Sequence, residues 1–495
     1  MTASTQARHP GTGKGSTRAR IGLVLGPLLF ALFYFIPALT GLDDSPRAVL
    51  AVTLWVATWW ITEALPIPAT SLMPIFLLPI TGGADERTAT MAYGNPIVFM
   101  YMGGFTIALA IQKWDLHKRI AMTILTMVGT GGSRITLGVI LATAFLSMWI
   151  SNAATALMML PIGLALIEEI KREQLYDDES LQRFAKGLLL SIAYAASIGG
   201  MATLIGSVPN AVFAAVSAQN LGRTVTFAQW FVFASPLTVL MLAVLYVYMA
   251  KVRFRVQARQ DLGADFARVQ LRRLGPMSFE EKAVLAVFAT VATLWIGSGF
   301  LPASLVLSDT SISMIGAVSL FLLPAGKGKG RLMGWPDMRN LPWGLLLLFG
   351  GGLSLAAAFE SSGLTVWFGG LLGGLQVLPF VLIIVALAAI VLLMTEIMSN
   401  TAVSNMLIPV GIGLALGIGA DPHAIMAVIA LSASCAFMLP ISTPPNAAVF
   451  ASEYITIDDM VKAGIGMNIA AICLISAFVL LWQPVAMGGW AGPLP

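Results

Sequence analysis

The stretch ISNAATALMMLPIG, Ile150 to Gly163, returns as MSNTAVSNMLIPVG, Met398 to Gly411, with Ser151-Asn152 falling on Ser399-Asn400 at a spacing of 248 (399 − 151). The same spacing relates MGGFTIALAIQKWDL, Met102 to Leu116, to GGGLSLAAAFESSGL, Gly350 to Leu364, so that Gly104 falls on Gly352. A third pair, SVPNAVFAA from Ser207 and TPPNAAVFA from Thr443, matches at Pro209/Pro445 and Asn210/Asn446 with a spacing of 236 (445 − 209). The three pairs keep one order along the chain, which implies duplication of a whole unit. Polar, Gly- and Pro-broken stretches at matching places in two apolar halves point to the substrate site of a transporter.

Composition sets the class in which that duplication occurs. Hydrophobic residues make up 58% of the chain, charged residues 11%, and the mean hydropathy is +0.86. Soluble domains carry about a quarter charged residues, so this is a polytopic membrane protein. Apolar runs of roughly 20 residues predict eleven spans, at 21–39, 46–64, 66–82, 96–113, 187–218, 228–250, 280–300, 306–324, 341–360, 422–451 and 463–485. Two further apolar stretches, 135–167 and 377–417, are interrupted by the Ser-Asn motifs and read as re-entrant hairpins, with a pair of ordinary spans in each as the other reading. Non-helical backbone at membrane depth is tolerated where it is buried in protein or lines a wet cavity, which makes each tip a binding surface.

Charge predicts the orientation. With the amino terminus inside, all of the 28 Lys and Arg except Arg47, Arg87 and Arg223 fall on cytoplasmic segments, including the basic run Lys251 to Arg273. That is the distribution the positive-inside rule requires. Eleven crossings put the carboxyl terminus outside. The net charge of +4 marks orientation and contact with the inner leaflet, and needs no nucleic-acid partner. The chain divides into a disordered cytoplasmic tail (1–20), a first-repeat scaffold part (21–134), a first-repeat transport part with hairpin and broken helix (135–250), a basic loop (251–279), and the corresponding second-repeat parts at 280–376 and 377–495.

Several other chemistries are excluded by the residues present. GTGKGST in the tail does not fit the phosphate-loop pattern of Gly, four residues, then Gly-Lys-Ser/Thr, since Lys14 precedes Gly15 and position 8 is Arg. His9, His117 and His423 are too scattered for a metal centre, and Cys435 and Cys473 read as small apolar packers. There is no HExxH, and IGSG at Ile296 to Gly299 lacks the first Gly of a serine-hydrolase elbow, so no enzyme is expected.

Ser, Thr and Asn at a hairpin tip can hydrogen-bond a carboxylate, while broken helix ends present positive amino termini to anions and carbonyls to cations. No Lys or Arg lies between Arg134 and Lys171 or between Arg339 and Lys462. A bare dianion is expensive to bury, so an anionic substrate requires bound cations, and a neutral substrate is the competing inference. Glu63, Glu360 and Glu396 lie within or at the ends of predicted spans, where ionisable groups are functional candidates by default. For each of them a hydrogen-bonded structural role is the alternative. Trp114 to Arg119 reads as an interfacial arm.

The paired Ser-Asn motifs, the paired Pro-Asn-Ala motifs and WWITEALPIPATSLMPI near the amino terminus resemble the divalent anion:sodium symporter family, over about residues 45 to 485. That resemblance implies an all-α inner-membrane homodimer with inverted repeats and an elevator-type transport domain moving against a scaffold. It implies co-transport of sodium ions with a C4-dicarboxylate such as succinate, malate or fumarate. Carried across by motif, the substrate would meet Ser151, Asn152, Ser399, Asn400, Thr401, Thr443 and Pro444. One sodium site would use Ser147, Ser151, Asn152 and backbone near Gly200, and its partner Thr395, Met398, Asn400 and Ser442. The sequence departs from the family pattern at Ala153, where a Thr is usual, and at Val208, where a Pro is usual. A dicarboxylate exchanger, a citrate or sulfate carrier of the same fold, and an ion channel are the alternatives.

Overall fold

The computed structural model describes residues 17–129, 133–255, 265–300, 307–326 and 328–488. Among these the regular structure is helical, apart from one isolated bridge between Pro324 and Arg331. Eight helical stretches are at least 18 residues long and apolar enough to cross a membrane.

The chain enters with α1 (Thr17–Phe35) and α2 (Asp44–Thr62), which pack together. The glycines of α1 allow this approach: a methyl group at Gly22 would overlap Thr62, one at Gly26 would lie 2.7 Å from the Trp59 ring, and Trp59 Nε1 donates to the Gly22 carbonyl at 2.9 Å. The helix therefore begins inside the expected tail of residues 1–20, because residues 17–20 extend a helix already anchored on α2. Residues 1–16, with His9 and Lys14, lie outside the described residues, as do 256–264 of the basic segment. The span expected at 66–82 is two short helices, α3 (Ile67–Thr70) and α4 (Met73–Thr81). Pro68 and Pro74, which have no amide hydrogen to continue a helix, each sit at the start of one.

A series of seven helices then follows: α5 (Glu86–Met91), α6 (Pro96–Lys113), α7 (Leu116–Val128), α8 (Ser133–Ser147), α9 (Asn152–Arg172), α10 (Asp178–Gly200) and α11 (Val208–Asn220). α12 (Phe227–Tyr246) closes the first half, and α13 (Asp265–Arg273) is a short basic helix in the connection. The second half holds α14 (Phe279–Gly297), α15 (Asp309–Leu322), α16 (Trp343–Ser361), α17 (Leu364–Leu372), α18 (Phe380–Ile397), α19 (Asn400–Ile418), α20 (Pro422–Ala433), α21 (Pro444–Phe450) and α22 (Ile457–Ala486). Helices α6 to α12 thus recur in order as α16 to α22, with the interruptions at matching places.

The short helix α7 is fixed at one end by polar contacts. Trp114 Nε1 donates to the Leu332 carbonyl (2.9 Å), and Arg119 bonds both carboxylate oxygens of Glu281 (2.9 and 3.1 Å). Beside it, Lys113 Nζ lies 2.7 Å from Asp337. Burial pushes the Asp337 carboxyl up, and the Lys113 ammonium with the Gly334 N–H outweighs that, holding it below the usual carboxylate range. The apolar core falls into two clusters. A smaller one gathers α2, α4, α16 and α17 around Val56, Trp60, Leu78 and Phe359 and includes Ala402 of α19, while the larger one takes in the hairpins and broken helices.

Candidate functional site

Each hairpin helix that ends before a Ser-Asn motif carries a hydroxyl in its last turn, and that hydroxyl meets the Asn side chain and a carbonyl from the helix after the hairpin. In the first half, Ser147 Oγ donates to the Ala196 carbonyl at 2.6 Å. Turned so that its nitrogen faces inward, the Asn152 amide donates to Ser147 Oγ (2.7 Å), Ala196 O (3.0 Å) and Gly206 O (3.1 Å). In the second half, Thr395 Oγ1 lies 2.6 Å from Asn400 Oδ1 and donates to the Ala433 carbonyl at 3.0 Å. The same hydroxyl, amide and carbonyl set therefore occurs twice, built by residues 248 apart (395 − 147) for the hydroxyl and 237 apart (433 − 196) for the carbonyl.

The helix breaks beside these sets are held open by a second matched pair. Asn210 Nδ2 donates to the carbonyls of Gly200 (3.0 Å), Met201 (3.3 Å) and Thr203 (2.7 Å), gathering the unwound segment between α10 and α11. Asn446 Nδ2 does the same between α20 and α21, donating to Ala436 O, Leu439 O and Ser442 Oγ, each at 3.1 Å. The two breaks touch: Ser207 Oγ lies 2.9 Å from Ser434 Oγ, and Cys435 Sγ 3.8 Å from Met201 Sδ. The packing is crossed, α21 lying on α9 and α11 on α19, so the halves form one body. Four helix amino termini (α9, α11, α19, α21) and four carboxyl termini (α8, α10, α18, α20) begin or end at the interruptions. The amino termini suit an anion and the carbonyl ends a cation.

Close approach explains one glycine. A methyl group at Gly200 would sit 2.3 Å from the inward-facing amide atom of Asn152 and 2.8 Å from the Gly206 carbonyl, so no side chain fits between the first break and the first tip.

A family model described as the sodium:sulfate symporter transmembrane region matches residues 19–488. The chain belongs to this symporter family. Among its curated relatives, the sodium-dependent dicarboxylate transporter SdcS of Staphylococcus saprophyticus is 40% identical over 477 residues, covering 94% of this chain and 92% of that protein. The Staphylococcus aureus protein of the same name is 39% identical over 487 residues, covering 96% of this chain and 93% of that one. Among solved structures, the Alcanivorax borkumensis YdaH transporter aligns with a TM-score of 0.59 at 14% identity over 97% of this chain and 100% of that chain. Neisseria gonorrhoeae MtrF aligns at 0.53 and 12% identity, over 85% of each. These two are likenesses of fold.

In this symporter-family chain, the structure brings Ser147, Asn152 and Gly200 into one cluster and Thr395 and Asn400 into another. Ser151 caps α9 through the Ala154 N–H, and Ser399 precedes α19 without such a bond. Met398 and Thr401 are buried beside the second tip. Ser442 belongs to the Asn446 network, Thr443 caps α21 through the Asn446 N–H, and Pro444 is exposed at the first position of that helix. The carbonyls that reach the hydroxyls are those of Ala196 and Ala433, while the Gly200 carbonyl accepts from Asn210.

Of the three acidic candidates, Glu63 and Glu360 are exposed, and Glu63 ends α2 with a positive φ of 50°. Glu396 is buried, and its carboxylate accepts from the N–H groups of Phe437 (2.8 Å), Met438 (3.0 Å to each oxygen) and Leu439 (3.2 Å) and from Asn468 Nδ2 (2.7 Å). It braces the second break. Sequence reasoning also placed no basic residue at either tip, and this is corrected: Arg18 Nη2 donates to the carbonyl of Ile397, the last residue of α18, at 3.0 Å. A contact across 379 positions has no local signal. The roles of Asn210 and Asn446 did have one, in the matched Pro-Asn-Ala motifs.

Proposed function

We propose that this protein couples sodium entry to uptake of a small C4-dicarboxylate across the cytoplasmic membrane. The observation that carries this reading is the doubled hydroxyl, amide and carbonyl set, Ser147–Asn152–Ala196 and Thr395–Asn400–Ala433. Oxygen donors of this type, uncharged and close together, suit a hard monovalent cation. The Asn152 amide, whose nitrogen faces the cluster, presents its oxygen to sodium after a half turn of the side chain. The sodium ions then offset a dianion held by the hydroxyls and amides of Ser151, Asn152, Ser399, Asn400, Thr401 and Thr443 and by helix amino termini. The names of the Staphylococcus relatives support both the cation and the substrate class.

The transport cycle follows from the duplication. The repeats have opposite orientation, α8 to α12 and α18 to α22 move as one transport domain, and the remainder forms a scaffold that dimerises. The amino terminus is cytoplasmic and the carboxyl terminus outside, as the distribution of Lys and Arg requires. In this orientation the helices of the first hairpin start and end on the cytoplasmic side, and those of the second on the outer side.

Uptake of labelled succinate, malate, fumarate, citrate and sulfate into proteoliposomes tests the reading. A sodium gradient is expected to drive accumulation of a C4-dicarboxylate into vesicles that contain none. Uptake that needs a preloaded lumen and ignores replacement of sodium by potassium or choline overturns it in favour of exchange.

A further inference from the structure

Arg18 lies on one face of α1 with Gly22 and Gly26, at four-residue intervals, and that face is locked onto α2 by the close approaches of the two glycines to Thr62 and Trp59. Its guanidinium is thereby carried to the carboxyl end of α2, where it donates to the Ile61 carbonyl. It also donates to the Ile397 carbonyl of α18 at 3.0 Å. Both carbonyls belong to the last turn of their helices, where the final four have no partner within the helix and the dipole is negative. One fixed cation thus serves two helix carboxyl ends, one in the α1–α2 pair and one in a hairpin tip. Ile397 is followed directly by Met398-Ser399-Asn400, and the turn it ends contains Thr395 and Glu396.

The rest of the hairpin's hold on this pair comes from α19, which packs on α2, and not from α18. Ile397 is 55% exposed, α18 packs on α20 and α22 rather than on α1 or α2, and Ala402 supplies the apolar contact with the α2 cluster. The geometry points to Arg18 as a positioning residue of the transport cycle: its guanidinium seats the second hairpin tip against α2 in this state and must release it when the transport domain moves. This inference rests on the moving-domain reading above. Lengths agree with it. α2 and α18 have 19 and 18 residues, each about 27 to 29 Å long at 1.5 Å per residue. In the orientation proposed above, both run inward from the outer side, and they end together at Arg18. The second tip therefore lies at the cytoplasmic ends of the scaffold helices, as it must when the site faces inward.

Ile441, in the second break, is 73% exposed in this state and reports it. In Ile441→Cys on a Cys473→Ala background, the rate of modification by an impermeant thiol reagent in inside-out vesicles measures the inward-facing population. Arg18→Gln is expected to lower that rate on the order of fivefold, the scale of an exposed charged contact, and Arg18→Lys to restore most of it. Arg20→Gln, one turn-fraction away on α1, is the control and should leave the rate unchanged. Unchanged modification in Arg18→Gln, with a normal melting temperature, overturns the inference, as does an equal effect of Arg20→Gln. If the parent variant does not respond to sodium plus dicarboxylate at all, the moving-domain reading fails, and this inference with it. That outcome is distinct from a responsive parent with a silent Arg18→Gln, which leaves the transport reading in place.

Discussion

The two hairpins share a motif and a polar cluster, yet differ in how they are covered. Leu157 on α9 is 58% exposed, whereas Asn405, at the same repeat position on α19 (405 − 248), is 2% exposed. The breaks follow the same division. Ile441 in the second break is 73% exposed and Ile205, its counterpart in the first (441 − 236), 4% exposed. The crossed packing joins these facts, since the open α9 lies with α21 and the covered α19 with α11. A duplicated unit in a single state must place its two copies in different surroundings, and here one composite half is open while the other is sealed against α6 and α16. On the moving-domain proposal, the opposite state opens the half that is sealed here.

The comparison breaks first at the asparagines. Asn152→Ala and Asn400→Ala are each expected to lower sodium-driven uptake on the order of a hundredfold or more, since on the proposed assignment each removes a group that serves both cation and dianion. Melting temperature and oligomeric state should stay near the parent values. A silent Asn400→Ala would show that the sealed half is not a site.

A smaller difference is expected in the bracing of the breaks. The second, exposed break is held by the Glu396 carboxylate, while the repeat counterpart of Glu396 is Met148 (396 − 248), whose carbonyl accepts from Thr203 Oγ1. Glu396→Gln should destabilise the protein by about 2 to 3 kcal/mol, because it weakens charged hydrogen bonds to buried amides. Thr203→Val, which removes the hydroxyl that meets the Met148 carbonyl, should cost no more than about 1.5 kcal/mol. Thermal unfolding in detergent measures both, and equal effects would remove the distinction between the braces.

The smallest effect concerns the position directly after the Ser-Asn pair, Ala153 against Thr401. Ala153→Thr adds a hydroxyl to the open half, and a hydrogen bond to a charged group contributes about 1.5 to 3 kcal/mol. Dicarboxylate binding should tighten about tenfold or more in a titration at saturating sodium. A weaker affinity for every dicarboxylate would mean that the alanine fits a different substrate.

The order of helices and the interruptions were legible because apolar runs and Pro, Gly and Asn punctuation are local signals. The hydroxyls Ser147 and Thr395 were named only through the family resemblance, since both lie outside the Ser-Asn stretches that the repeat matches. Position 66–82 misled as a single span, since its apolar run is continuous while Pro68 and Pro74 divide the backbone. The carbonyls of Ala196, Gly206 and Ala433 carry no residue-type signal, because any residue supplies one and folding alone selects which. Glu396 left two roles open until its partners at 437 to 439 were known. Arg18 was hidden by distance along the chain.

The central claim is that both polar clusters are sodium sites, one in each half, despite their different cover. Sodium-22 binding to the purified protein at saturating dicarboxylate tests it directly, with Ser147→Ala and Thr395→Ala beside the parent. The account predicts that the parent binds at least two sodium ions per chain and that each variant binds one fewer. A parent that binds a single ion, or a variant in either half that keeps the full stoichiometry, would contradict it.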